Sequence, residues 1–129
     1  MSTDKMRMVK TTHEKATELF EALAAKEDMA GWSKNAEYYF VLYNEVIAGV
    51  TSLQYWSTKI KFNNHYVYKE YRGKGLFKFM FEFSMKNARF SRCKYIEATC
   101  TSMSIDHYLK NGFQIVKEFK LYYGVKYIL

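Results

Sequence analysis

The chain has 129 residues, enough for one moderate core and too few for a second, so residues 1–129 are expected to form a single domain. Hydrophobic residues make up 49% and aromatic residues 19%, which excludes a disordered chain. The net charge of +7 points to an anionic cofactor, an acidic partner or nucleic acid, although the basic residues are spread along the chain and form no single block.

Taken in order, Met6–Lys10 alternates and reads as a first strand. Thr11 with Glu14 predicts a capping box, and Ala16, Leu19, Phe20, Leu23 and Ala24 recur at helical spacing, so a helix is expected from about Thr12 to Lys26. A second short helical segment is expected near Glu27–Trp32. Glu37–Tyr43 and Val46–Trp56 read as a hairpin joined by Asn44-Glu45. After a turn at Ser57–Lys59, Lys61–Tyr68 is the next strand. The stretch from about Gly75 to Phe90 is apolar on more than one side and predicts a helix buried between layers. Tyr95–Cys100 reads as a strand and Ser102–Lys110 as a short helix stopped at Asn111-Gly112. Gln114–Phe119 and Tyr122–Ile128 close the chain as a hairpin. The order β-α-α-β-β-β-α-β-α-β-β implies a mixed sheet whose central crossover joins two parallel strands.

No run reaches transmembrane length, and the amino terminus MSTDKMRMVK lacks the apolar core of a signal peptide, so a cytoplasmic location is expected. Cys93 and Cys100 are too few for a disulfide framework and have no metal-ligand spacing with the three histidines; free thiols and no metal are expected.

The chemistry concentrates at Arg72-Gly73-Lys74-Gly75-Leu76-Phe77, between a strand and a helix. Two glycines permit positive φ and a close backbone approach to a ligand. The helix start offers unpaired N–H groups and the positive end of its dipole, and Arg72 and Lys74 add charge. Together they predict a phosphate or pyrophosphate site.

With the strand before it, Val67-Tyr68-Lys69-Glu70-Tyr71-Arg72-Gly73-Lys74-Gly75 resembles the phosphate-binding signature of the GNAT family of N-acetyltransferases. Downstream, Tyr108-Leu109-Lys110-Asn111-Gly112-Phe113 is similar to that family's second motif. Lys69 replaces a usual proline, and Thr101 and Ser104 stand where the family often has Asn and Ala. Phe77 stands where Gly or Ala is usual, so its ring either narrows the pyrophosphate's approach or turns aside and packs.

The resemblance implies the GNAT fold: an α/β (mixed α+β) chain with a central, mostly antiparallel sheet, a splayed parallel strand pair and about four flanking helices. It implies acetyl-coenzyme A as co-substrate, lying between Lys61–Tyr68 and Tyr95–Cys100. Main-chain groups around Tyr66, Val67 and Tyr68 would bind its pantetheine arm, and Arg72, Gly73, Lys74, Gly75, Leu76 and Phe77 its pyrophosphate. Glu70, the one close acid, would point away. Tyr108 matches the family's general acid toward the coenzyme sulfur. The base is open: His65 is the one candidate on its strand with an ordinary pKa near neutrality, and by alternation it shares a face with Asn63 and Val67. Glu97, Asp106 or no base at all are the alternatives. Met29 and Trp32 are candidates for the acceptor pocket.

Three functions compete. The first is direct acetyl transfer to a primary amine of a small-molecule or protein acceptor; with only 13 acidic residues, an acidic acceptor is easier to accommodate than a polycation. The second is a related enzyme acting on nucleic acid, and the third a non-catalytic binding protein on the same fold. The resemblance also admits a homodimer, and nothing suggests a membrane partner.

Overall fold

The computed structural model describes residues 4–29 and 31–129. Met1–Thr3, part of the amino terminus read above, and Ala30, inside the expected helical segment Glu27–Trp32, lie outside the described residues.

Among the described residues, seven strands form one sheet. They are β1 (Met6–Thr11), β2 (Glu37–Tyr43), β3 (Val46–Tyr55), β4 (Lys59–Val67), β5 (Tyr95–Cys100), β6 (Gln114–Glu118) and β7 (Tyr123–Ile128), in spatial order β1-β2-β3-β4-β5-β7-β6. Among the described residues only β4 and β5 pair in parallel, and every other neighbouring pair is antiparallel. The helices are α1 (His13–Ala25), α2 (Leu76–Phe90) and α3 (Ile105–Lys110), with a 3-10 turn at Lys69–Tyr71. The mixed α/β architecture expected from the sequence is therefore present.

The differences are local and have physical reasons. Thr11 remains in β1, opposite Tyr38, so the α1 cap is Thr12, whose hydroxyl accepts from the Lys15 amide at 3.2 Å. Helix α1 does not continue into a second helix: Asp28 adopts φ 64°, turning the chain left-handed, and the described residues of Glu27–Trp32 are turn and coil. Helix α3 starts at Ile105 and not Ser102, because residues 102–104 make a tighter turn first. The Asn44-Glu45 turn is as expected, with both residues at positive φ.

Alternation along the strands builds two apolar layers. On one face Phe20 of α1 is wholly buried among Tyr38, Phe40, Val50 and Tyr66; its burial contributes about 2–3 kcal/mol. On the other face Phe81 and Met85 of α2 and Tyr108 of α3 pack over Phe62, Ile96 and Val125. Helix α2 buries one face, Leu76, Met80, Phe81, Ser84, Met85 and Ala88, and is not enclosed between layers as expected. Lys78, Glu82, Lys86 and Arg89 face outward and Phe90 is 82% exposed, because the helix covers the sheet with no further element over it among the described residues.

Two irregularities make a site between these layers. In β4 a bulge leaves Asn64 and His65 both opposite Thr51, with Asn64 at φ 59°. The Ser52 hydroxyl lies 2.8 Å from Asn64 Oδ1 and 3.0 Å from the Asn63 carbonyl oxygen, holding the bulge. The parallel ladder between β4 and β5 ends at Phe62 opposite Ala98. Beyond that point β5 stays with β7 through Cys100, whereas β4 stays with β3 through Val67. The two strands diverge, and among the described residues no strand pairs between their facing edges.

Candidate active site

The gap between β4 and β5 widens into a cavity of about 770 Å³ reaching from the phosphate turn to the ends of both strands. At one end lies the Gly-basic turn. Gly73 and Gly75 adopt φ 82° and 84°, and among the described residues a side chain at either would meet nothing within 4 Å beyond its chain neighbours, so the turn presents bare backbone. Gly75 caps α2 without side-chain help, and the helix ladder begins with Phe79 N–H donating to Gly75 O at 3.0 Å. Among the described residues, the amides from Gly73 to Lys78 donate to no acceptor in the chain. Six successive unpaired donors at a helix start have the chemistry to accept an anion.

Arg72 takes a part that sequence reasoning did not assign to it. Its Nε donates to the Val67 carbonyl at 3.0 Å, its Nη2 donates to Glu27 Oε2 at 2.6 Å, and its guanidinium sits 5.2 Å from the centre of the Tyr66 ring. The side chain braces the turn against the end of α1. Arg72 holds the Glu27 carboxyl below the usual carboxylate range, chiefly through that hydrogen bond. Lys74 is exposed, with its ammonium 5.5 Å from the Tyr43 ring centre, and Glu70 is exposed and does not line the cavity. Phe77 turns aside: its ring packs on His65 at 5.6 Å, His107 at 4.9 Å and Tyr108 at 6.5 Å. Leu76 is buried on Met80 and Val67, and Tyr66 and Tyr68 pack toward Phe20 on the opposite face.

Tyr108 and His65 both line the cavity, brought there by different elements. Tyr108 is 2% exposed, and burial drives its phenol well above its ordinary pKa, so the proton stays on oxygen. His65 is stacked against Phe62 at 6.0 Å, and neither ring nitrogen has a partner among the described residues. Burial, aided by His107, pushes its pKa down to about 3, so the expectation of a group titrating near neutrality is not met. The bulge also changes its face: Phe62, His65 and Val67 share the α2 side, while Asn63 points to the other.

The remaining candidates divide. Met29 lines the cavity; Trp32 does not, stacking on Tyr38 at 6.1 Å. Glu97 is paired with Lys59 at 3.1 Å and Asp106 is exposed, both away from the cavity. Cys100 faces the cavity, but burial pushes its thiol up to about 11, which keeps it protonated and poorly nucleophilic. Sequence reasoning missed His107, whose Nε2 is buried without a partner among the described residues, and also Glu27, Asp28, Lys61, Asn63, Thr99 and Tyr122 in the wall. Adjacency to Tyr108 was the one signal for His107; Glu27 pairs across 45 residues, which no local pattern reveals.

Known proteins place this arrangement. Among solved structures, a Klebsiella pneumoniae chain assigned to the acyl-CoA N-acyltransferases superposes with a TM-score of 0.80 at 16% identity, covering 96% of this chain and 97% of that one. A GNAT family acetyltransferase from Elizabethkingia anophelis with acetyl-CoA bound gives 0.73 at 15%, covering 98% and 100%. The PaiA N-acetyltransferase from Thermoplasma acidophilum, in complex with coenzyme A, gives 0.76 at 13%, covering 97% and 99%. At these identities the likeness is one of fold. A search of curated proteins by sequence found no match. The model of the acetyltransferase (GNAT) family matches residues 5–113, which takes in the bulged strand, the phosphate turn and the Tyr108 helix: the chain belongs to the acetyltransferase (GNAT) family.

Proposed function

We propose that this chain is an acetyl-coenzyme A-dependent N-acetyltransferase that passes the acetyl group directly to a primary amine, with residues 1–129 acting as one domain. The observation that carries the reading is the run of six unpartnered amides from Gly73 to Lys78 opening onto the gap between β4 and β5. A diphosphate needs several fixed donors, and a pantetheine arm needs a free strand edge; this chain offers both in one cavity. The Elizabethkingia and Thermoplasma structures, which hold acetyl-CoA and coenzyme A, support the same assignment.

Acetyl-coenzyme A brings an activated thioester carbonyl. The chain's part is to bind and orient it with the 73–78 amides and the free edge of β4 around Tyr66–Tyr68. Tyr108 keeps a proton in reserve for the departing sulfur, because its burial disfavours the phenolate. His65, uncharged at neutral pH, is suited to accept a hydrogen bond from the amine rather than to remove a proton from an ammonium ion. The amine is then required to arrive uncharged.

Calorimetric titration with acetyl-coenzyme A tests the cradle. Micromolar binding is expected for the wild type and a loss of about tenfold or more for Gly75→Val, which strains the left-handed cap. Tyr108→Phe should keep that affinity and lower turnover roughly a hundredfold. Absence of binding by the wild-type protein overturns the reading.

A further inference from the structure

The cavity does not stay on one side of the sheet. Cys100, His65 and Tyr108 line it on the α2 side, whereas Lys61, Asn63 and Thr99 line it from the α1 side. On that second side α1 packs over β2 to β4. The corresponding face of β5, β7 and β6 carries side chains that are exposed or half-exposed.

The register fixes what this face presents. Lys61, Glu97, Lys126 and Gln114 form one row across β4, β5, β7 and β6. Thr99, Gly124 and Lys117 form the next, and Gly124 lacks a side chain where Lys117 passes over it. The face's acid, Glu97, is neutralised by Lys59. Lys61, Lys117 and Lys126 are left in excess, beginning at the cavity wall and running away from it. With strands about 4.8 Å apart, they span roughly 10–15 Å.

We propose that the acceptor is an acidic peptide that lies across this uncovered lysine-bearing face and delivers its free N-terminal amine into the gap between β4 and β5. The inference rests on the transferase reading above. The extent of the patch argues for a peptide over a free amino acid, since an extended chain covers about 3.3 Å per residue and needs roughly four residues to cross it. The amine is taken to be an α-amine because the described wall groups are poor bases for a strongly basic one: the Glu27 carboxylate is committed to Arg72, Asp28 beside it is exposed, and burial lowers the basicity of His65 and His107. Near pH 7.5 about a third of α-amines are neutral, against roughly one lysine side chain in a thousand. Nucleic acid fits less well: Lys126 covers the Tyr95 ring at 4.1 Å and Lys59 covers Trp56 at 4.8 Å, so these rings are not free for bases. In the reaction the amine nitrogen bonds to the acetyl carbon as the C–S bond breaks. The bonding pair goes to sulfur, which takes the Tyr108 proton. The nitrogen's surplus proton goes to water, and water reprotonates Tyr108.

The test measures thiol release and peptide mass with saturating acetyl-coenzyme A. The acceptors are a free hexapeptide rich in glutamate, its lysine-rich counterpart, the acidic peptide blocked at its N-terminus but carrying one lysine, free glutamate, and a short single-stranded RNA. The free acidic peptide should have the highest kcat/KM. Combined Lys117→Glu and Lys126→Glu should raise its KM roughly tenfold while leaving acetyl-coenzyme A affinity unchanged. Preference for any other acceptor, or no effect of the double reversal, overturns the inference. Acetyl-coenzyme A binding with no peptide modified overturns it while leaving the cradle standing; loss of binding itself overturns the transferase reading as well.

Discussion

Arg72 shows how a residue's chemistry depends on what the fold puts beside it. By itself it reads as a free cation next to two glycines, yet three interactions commit it to Val67, Glu27 and Tyr66. The ion pair is partly buried, with side-chain exposures of 29% and 25%, so it is screened less than a surface pair. Arg72→Ala and Glu27→Ala should each weaken acetyl-coenzyme A binding a few-fold by loosening the turn. The double variant should be no worse than the single ones, with a coupling energy of about 1 kcal/mol in a double-mutant cycle. Strict additivity would show that the brace does not act on the cradle. The same dependence separates Tyr108 from His65: burial keeps a proton on the phenol and off the imidazole, so one cavity holds a donor and a neutral acceptor.

Strand β4 is the element on which the site depends. It is paired on both sides up to Phe62, then bulged at Asn64 and no longer paired with β5. Gly49 of β3 allows its second half to stay close: a Cβ there would lie 2.5 Å from the Tyr66 carbonyl oxygen, a backbone atom that cannot swing away. Gly49→Ala should therefore destabilise the protein by about 1–3 kcal/mol in urea denaturation and shift β4 enough to weaken coenzyme binding. A variant as stable as wild type would show that the strand has slack. Helix α2 is the complementary element, since its first turn carries the unpaired amides while its middle, at Phe81, packs against α3 through ring contacts at 4.5 Å to His107 and 5.6 Å to Tyr108.

Across the whole molecule, buried His65 and half-buried His107 are expected to make stability fall in acid. His65 binds its proton near pH 3 when folded and near 6.5 when unfolded, so the unfolded state takes up more protons between those values. The stability associated with neutral His65 is complete above about pH 6.5 and is lost as pH falls through this window. His107, lowered by burial and by Lys110 and Lys78, acts in the same direction, as does the Glu27 carboxylate in its own lower window. Between pH 7.5 and 4.5 the His65 contribution should cost ~2–3 kcal/mol, and His65→Leu should reduce the wild-type loss by that amount in urea titrations at the two pH values. An unchanged acid limb in the variant would rule out His65 as its source. No helix among the described residues is long and apolar enough to cross a membrane.

Local pattern was sufficient for much of this protein. Hairpin residues Asn44-Glu45, the period of α1 and α2 and the limits of β5 all follow from spacing, because the forces that set them act over a few residues. The phosphate turn was legible for the same reason: glycines, charge and a helix start lie together in the chain. What lay outside the sequence was everything that depends on distant partners. The bulge at Asn64 moved His65 to the α2 face and broke the alternation expected of it. Desolvation among Phe62, Phe77 and His107 removed its titration from the neutral range, Glu27 captured Arg72 from 45 residues away, and register across four strands gathered Lys61, Lys126 and Lys117 onto one face. Burial and register are sums over the whole packed chain, so only the tertiary structure decides them.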